Sequence, residues 1–440
     1  MKSRSRQLEL LEHCLDLVPA RVENCVLAFS GGLDSCVLLH LLASSRFLLN
    51  TKLWHVNHGL QIEADSMADF CQQQANAYRL EFKLSHLNLQ TTESNVEAIA
   101  RTARYALFAS ELTQNDCLLT AHHLDDQVET FLLNVLRGSG SAGLRGIAAQ
   151  RPIAKARLIR PLLQVKRDTL LYYAKQHKLE WFEDPSNSSV QFNRNYIRHK
   201  VTPVIQQRWP NYQHAIATVC DIQAETQQLL DDLAALDYDT LIDASDRSAL
   251  AKSASTISST MISPSTLCAH GLAALSASRQ KNVLRYWLRV NQRPSLPKAR
   301  LDTFTEQLGA KRDANPIIEN GDYDIRIYHG RVFIVNHEQP QPQQAVYDFL
   351  SESESELEIP ELNLVLRRSA VLDYLGIEEL GQVIQVGFRT DELPKHQNSH
   401  RLKRLFQSQK IAPWLRSTTP QLLVDGELMG LWARNPSDLG

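Results

Sequence analysis

The residues with the clearest chemical potential are Ser30-Gly31-Gly32-Leu33-Asp34-Ser35, set between an apolar run (26–29) and a helical pattern (36–42). Two glycines let a backbone turn tightly and approach a ligand closely. A helix that starts directly after such a turn aims its free N–H groups and positive dipole end into the loop, which makes an anion site. Ser30 and Ser35 add hydroxyl donors. A Gly-Gly pair alone is better explained as a plain strand-to-helix turn; the two serines and Asp34 shift the reading toward phosphate. The competing phosphate motifs fail. No GxxxxGK[ST] string is present, and the GxGxxG match at 138–143 follows a helical pattern where that motif needs a strand. The latter segment reads as a flexible loop.

A second group lies at 120–130. Asp125 and Asp126 stand at the start of a helical pattern, and Glu129, three residues after Asp126, shares its face. Acids there also cap a helix and favour its dipole, so a purely structural reading stands beside a catalytic one. His122 and His123 follow a strand end and are placed to touch phosphate, or to be solvated loop histidines. His55 and Asn57 close another strand, at the edge where open α/β sheets bind ligands. His58 reads as a turn residue.

These groups need a scaffold. Through about residue 200, short apolar segments (26–29, 53–57, 82–87, 117–121) alternate with helical ones (36–42, 64–78, 96–112, 125–137). That alternation predicts a parallel, doubly wound α/β sheet covered on both faces. Beyond about 203 the pattern changes. Helical spacing is expected over 212–236 and 276–288, and strand-like alternation over 324–336. A Gln/Pro-rich linker follows at 338–344, with a short acidic run at 351–356. The final 80 or so residues carry strand-like segments (362–368, 383–388, 421–424) around one helix (402–409). The expected domains are 1–205 (catalytic), 206–337 (mostly helical) and 345–440 (small α+β).

The net charge of the 440 residues is −2, so affinity for a polyanion has to come from local basic patches. Residues 137–167 hold eight Lys/Arg and no acids; Arg194, Arg198, Lys200 and Arg208 form another acid-free stretch. Residues 395–416 hold six Lys/Arg and no acids, with Phe406 and Trp414 interleaved. Basic charge with aromatics suits a phosphate backbone and unstacked bases. The seven cysteines include no CxxC pair, which argues against a disulfide framework or a four-thiolate metal site. Glu9, Glu12 and Asp16 interrupt what would be a signal-peptide core, and no apolar run reaches the length of a membrane span. A cytoplasmic location is expected, without a membrane or an obligate protein partner.

SGGLDS is the signature of the PP-loop ATP pyrophosphatases, and further segments narrow the resemblance to tRNA(Ile)-lysidine synthetases. They are His55-Val56-Asn57-His58-Gly59-Leu60 with Asp65 and Cys71; Asn95-x-Glu97-Ala98-x-Ala100-Arg101-x-x-Arg104-Tyr105; and Thr120-Ala121-His122-His123-Leu124-Asp125-Asp126-Gln127-x-Glu129-Thr130. Arg137-Gly138-Ser139-Gly140, Arg160-Pro161-Leu162-Leu163, Asp184-Pro185-Ser186-Asn187 and Arg194-Asn195-x-Ile197-Arg198 follow in order. The likeness continues through the segment from Ser276 and through 403–416, with Ala412 where the family often has a second proline.

The resemblance implies that ATP adenylates O2 of the wobble cytidine in the CAU anticodon of an isoleucine tRNA. The ε-amine of free L-lysine then displaces AMP, giving lysidine. Ser30, Gly31, Gly32, Leu33, Asp34, Ser35, His55 and Asn57 would face ATP, and Asp34 and Asp125 would hold Mg²⁺, which prefers carboxylates plus phosphate oxygens. Asp34, Asp126 and Glu129 would face the lysine. Arg101 joins them as a catalytic candidate; Arg104, His122, Arg194, Arg198, Arg401, Lys403 and Arg404 would contact the RNA substrate. An exposed helix arginine remains the plain alternative for Arg101 and Arg104. The rival functions are another PP-loop enzyme, such as a tRNA thiolase or an amidotransferase, and a non-catalytic RNA-binding protein. The absence of paired cysteines weighs against the thiolase, and the intact SGGLDS and DDQVET strings weigh against lost catalysis.

Overall fold

The computed structural model describes residues 9–20, 22–59, 64–87, 96–183, 189–242, 266–308, 317–337, 341–349, 356–362, 364–377, 383–389 and 399–432. Leu60, Asn95, the side chains of Glu97 and Ala98, Asp184-Pro185-Ser186-Asn187 and parts of the expected linker and acidic run lie outside them. The chain divides into two compact units, 1–228 and 229–440.

The first unit is built on a six-stranded sheet: β1 (Asn24–Ala28), β2 (Thr51–Asn57), β3 (Glu81–His86), β4 (Asp116–Leu119), β5 (Gln150–Ile153) and β6 (Ala156–Ile159), in the order β3-β2-β1-β4-β6-β5. Every pairing is parallel except that of β5 with β6. The parallel part follows the strand–helix alternation of the sequence. One antiparallel edge pair, β5 with β6, extends the parallel sheet. It is a tight hairpin with Ala154 at φ +45°, and it carries Pro152, which an edge strand tolerates because it needs no N–H there. The expected loop at 138–143 is corrected in part: Ser141–Leu144 forms a helical turn, and Asn134 Nδ2 donates to the Gly143 carbonyl at 2.8 Å.

Helices cover both faces. On one, α1 (Leu33–Ala43), α2 (Ala64–Tyr78) and α5 (Arg167–Gln176) contribute to a core that includes Leu27, Phe29, Val37, Leu38 and Leu170; on the other, α3 (Val96–Glu111) packs Phe108 against Trp54, Val56 and Leu118. The sequence of α1 is apolar nearly all round, as a helix sunk into a core requires. Between α3 and α5 lies α4 (Leu124–Leu136), directly after β4. The thirty-residue helix α6 (Tyr212–Leu241) extends past the expected end at 236.

The second unit contains helices Ala277–Val290 and Lys298–Leu308 with a four-stranded sheet whose strands Ile317–Asn320, Tyr323–Tyr328 and Arg331–Asn336 are antiparallel neighbours. Trp287, Leu284, Phe304 and Tyr323 form its core. Farther along, Val346–Asp348, Ile384–Gly387, Gln421–Val424 and Glu427–Leu431 make a second antiparallel sheet, accompanied by helices Arg368–Leu375 and Ser399–Ser408.

The β1–α1 turn depends on Gly31. Its φ is +77°, its carbonyl accepts from the Phe182 N–H (2.8 Å) and from Cys36 Sγ (3.2 Å), and a Cβ there would sit 3.0 Å from Cys71 Sγ and 3.2 Å from the Phe70 ring. Gly31→Ala should therefore fold with a loss of about 1–2 kcal/mol from the left-handed backbone, and lose anion binding more than stability. Thermal melts and nucleotide titration together check this; unchanged nucleotide affinity would show that the loop backbone does not contact the phosphates.

Candidate active site

Gly32 is the N-cap of α1, so the first free N–H groups of that helix open onto the loop. The Ser30 hydroxyl donates to Ser35 Oγ (3.1 Å), and Ser35 Oγ donates to the Gly32 carbonyl (2.9 Å). Asp34 lies in the first turn of α1. Its Oδ1 is buried with no hydrogen-bonding partner among the described residues, and its Oδ2 is 3.5 Å from His123 Nε2.

His123 joins the loop to the acids of α4. It is 1% exposed and stands within 3.5–3.7 Å of Asp34, Asp125 and Asp126. Burial alone would lower its pKa, but Asp126, Asp34 and Asp125 outweigh burial and push it up to about 9, so the imidazole is cationic at neutral pH. Its neighbour His122 is in the opposite state. Burial holds its pKa well down; the pull of Asp126 is offset by Arg160, Arg101 and Arg194, and the ring bonds Thr120 Oγ1 at 2.9 Å.

Asp126 and Glu129 share a face of α4 as their spacing requires. Asp126 Oδ2 accepts the His123 backbone N–H at 2.9 Å, so the capping role is real. Its other oxygen accepts from Arg194 Nη2 at 2.7 Å. Burial would raise the Asp126 pKa, but His123 and Arg194 reverse this and hold it below the usual carboxylate range. Glu129 is 1% exposed and is gripped on both oxygens: Arg194 Nε donates to Oε2 and Arg198 Nε to Oε1, each at 2.6 Å. Arg194 comes from the short helix Asn193–Tyr196 and Arg198 from the π-helical turn Ile197–Val201. Asp125 is held differently. Its Oδ1 accepts from Gln213 Nε2 (2.7 Å) and its Oδ2 from the Arg167 N–H (2.9 Å). Gln213 was not visible to sequence reasoning: it belongs to no motif and lies 88 residues from its partner.

The cluster thus sets four carboxylates (Asp34, Asp125, Asp126, Glu129) against three cations (His123, Arg194, Arg198), with one negative charge in excess. It suits one further cation. Beside it stands a basic group around Tyr105: the guanidinium carbons of Arg101, Arg104 and Arg151 lie 5.2, 5.9 and 5.0 Å from its ring centroid. His55 Nδ1 donates to the Phe29 carbonyl at 2.8 Å, and the Asn57 side chain bonds Asp65 and the Gly59 N–H. Both residues are buried; His55 ties β2 to Phe29 just before the loop, while Asn57 closes the turn after β2.

The chemistry fits ATP with a divalent cation. An unsatisfied buried carboxylate oxygen, a helix start and a left-handed glycine meet at one loop. Among the described residues no three His, Cys, Asp or Glu side chains form a metal cage. Mg²⁺ does not need one, since it binds through one or two carboxylates with phosphates and water. Among the described cysteines all but Cys268 are buried, and burial pushes the Cys25 and Cys36 thiols up to about 12, so they are poor nucleophiles.

In the second unit Arg401, Lys403 and Arg404 are exposed on the helix Ser399–Ser408. The aromatics expected to accompany them are corrected. Phe406 is 2% exposed in a core with Ile411 and Leu431, because it occupies the apolar face of that amphipathic helix. Trp414 packs edge-on against Tyr328 and Phe333, with Arg326 over its ring at 5.3 Å.

Among the described residues no helix is long and apolar enough to cross a membrane. Family models match the chain in three places: a PP-loop domain over 3–205, a TilS substrate binding domain over 267–333 and a TilS substrate C-terminal domain over 385–434. The tRNA(Ile)-lysidine synthase of Serratia proteamaculans is 35% identical over 420 residues, covering 92% of this chain and 90% of its own length. That of Alkalilimnicola ehrlichii is 36% identical (96% and 92% covered), and that of Coxiella burnetii 32% identical (93% and 88% covered). With a phosphate loop joined to an acid cluster and relatives matched almost end to end, the chain belongs to the tRNA(Ile)-lysidine synthase family.

Proposed function

We propose that this chain is an ATP-dependent ligase that joins free L-lysine to C2 of the wobble cytidine in the CAU anticodon of a cytoplasmic isoleucine tRNA. Lysidine, AMP and pyrophosphate are the products. The observation that carries the reading is the contact chain from loop to acids, Asp34 to His123 to Asp126, which joins a phosphate site to a site for a cation.

A cytosine carbonyl oxygen is a poor leaving group, and adenylation makes it a good one. In this reading the loop N–H groups, Ser30 and Ser35 hold the pyrophosphate, and Asp34 and Asp125 hold Mg²⁺. Arg101 and Arg104 offer positive charge to the phosphates of nucleotide or RNA. Lysine attacks only as the neutral amine, a form that costs about 4–5 kcal/mol at pH 7. A carboxylate that binds the ammonium and then accepts its proton offsets that cost. Asp126 and Glu129 are assigned to binding the ammonium, which the excess negative charge of their cluster draws in. Arg194 and Arg198 hold these acids in place and bring positive charge to the side of the cluster that the RNA would approach.

Incubation with labelled lysine, ATP and total tRNA, followed by nucleoside analysis, tests the reading directly. A lysine-bearing cytidine is expected. Its absence, with active protein, overturns the assignment.

Glu129→Gln should weaken lysine use more than adenylation, so that adenylated tRNA accumulates. It should also cost about 2–3 kcal/mol of stability, because two guanidiniums lose a buried charged partner, a cost that their own side-chain exposure of 28% and 26% moderates. Quench-flow detection of the adenylate, paired with urea melts, checks both; failure to form any adenylate in the folded variant would move Glu129 to the ATP site.

Replacing Arg401, Lys403 and Arg404 together by alanine should raise the Michaelis constant for tRNA severalfold. It should also reduce the slope of log affinity against log salt, by up to about 0.7–0.9 for each phosphate that the variant no longer neutralises. A folded variant that binds tRNA normally at every salt concentration would take the RNA away from this helix.

A further inference from the structure

Asp125 differs from the neighbouring acids in what holds it. Asp126 and Glu129 are bonded by guanidiniums, whereas Asp125 accepts from two neutral donors, the Gln213 amide at 2.7 Å and the Arg167 backbone N–H at 2.9 Å. Among the described residues its ion-pair partner is His123, 3.7 Å away and shared with Asp34 and Asp126. An arginine fixes a carboxylate by cancelling its charge; an amide fixes its direction and leaves the charge in place. Each Asp125 oxygen therefore has one lone pair committed to a neutral donor, and the carboxylate, whose side chain is 26% exposed, keeps the rest available.

Gln213 is suited to impose that direction. It stands in the first turn of α6, is 6% exposed, and follows Tyr212, which is 7% exposed. Because the side chain is enclosed, its amide has few alternative orientations, and its hydrogen bond selects one rotamer of Asp125. We infer that Gln213 is a positioning residue, which orients Asp125 by a neutral hydrogen bond so that this carboxylate holds the divalent cation on the pyrophosphate. The inference rests on the proposed function, in which Asp125 is a cation ligand. Outer-shell partners of this kind set metal affinity by fixing the ligand that touches the metal.

The test uses the full chain with a non-hydrolysable ATP analogue and Mn²⁺ as the probe, free Mn²⁺ being counted by electron paramagnetic resonance. Gln213→Met keeps the size of the side chain and removes the donor; Gln213→His keeps a donor. The methionine variant should raise the Mn²⁺ dissociation constant about tenfold. The histidine variant should recover most of that loss, and tRNA affinity by filter binding should stay native in both. A folded methionine variant with native Mn²⁺ affinity, or equal losses in both variants, overturns the inference and leaves Gln213 a packing residue. If the methionine variant does not fold, a folded histidine variant with a tenfold loss overturns it as well. Should the native chain bind no Mn²⁺ beside the analogue while still forming lysidine, the cation role of Asp125 fails and the inference with it, but the ligase reading stands.

Discussion

Four carboxylates drawn to one end of a helix repel one another, and burial makes the repulsion worse by removing the water that would screen it. The first turn of α4 tolerates this only because cations are built in beside the acids. The helix dipole contributes, since Asp125 and Asp126 sit at its positive end. It does not reach Glu129, farther along the helix and 1% exposed, whose two oxygens are each met by a guanidinium instead. The segment carrying Arg194 and Arg198 is thereby fixed. The two arginines are four residues apart, on one face of a helical stretch that passes into a π turn, and both must reach the same carboxylate. Removing either partner strands a charge, which makes the cluster a unit.

The same balance reaches the phosphate loop through one imidazole. His122 and His123 are adjacent in sequence and alike in chemistry, yet one is held neutral and the other cationic. The difference lies in what each faces. In the extended backbone at the helix start, consecutive side chains point opposite ways. His123 turns to Asp34, Asp125 and Asp126, while His122 has Arg160 and Arg101 near it. A cationic His123 lets Asp34 approach the α4 acids without net repulsion, so the geometry of the loop and the charge state of the cluster depend on each other.

What was legible in the sequence was local. The SGGLDS turn follows from two glycines between a strand and a helix, and the shared face of Asp126 and Glu129 follows from helical period. The parallel strands were legible because alternation with helices admits few other arrangements. What was not legible depended on distant partners. Arg194 and Arg198 meet Glu129 across 65 and 69 residues, and Gln213 meets Asp125 across 88. No period or spacing reports such a contact. The antiparallel β5–β6 hairpin was missed because its strands are four residues each and mostly polar on β5. Phe406 misled for another reason: an aromatic among basic residues has the same sequence appearance whether it stacks on a base or anchors an amphipathic helix, and only burial decides.

A chain with a net charge of −2 can still recognise a polyanion if its charges are segregated, since the field that RNA meets at close range decays within about 10 Å at moderate salt. The segregation here is strong. Helix α6 carries six acids and no lysine or arginine along its thirty residues, which makes it a poor surface for RNA. The helix Ser399–Ser408 carries Arg401, Lys403 and Arg404 and no acid, and the arginines around Tyr105 form a second basic group in the first unit. Basic residues with no acid among them suit a polyanion better than the same residues interspersed with carboxylates would. Each phosphate that such a residue neutralises adds a modest, salt-sensitive affinity. Affinity for a polyanion then follows from where the charges stand along the chain, and the net charge has little part in it.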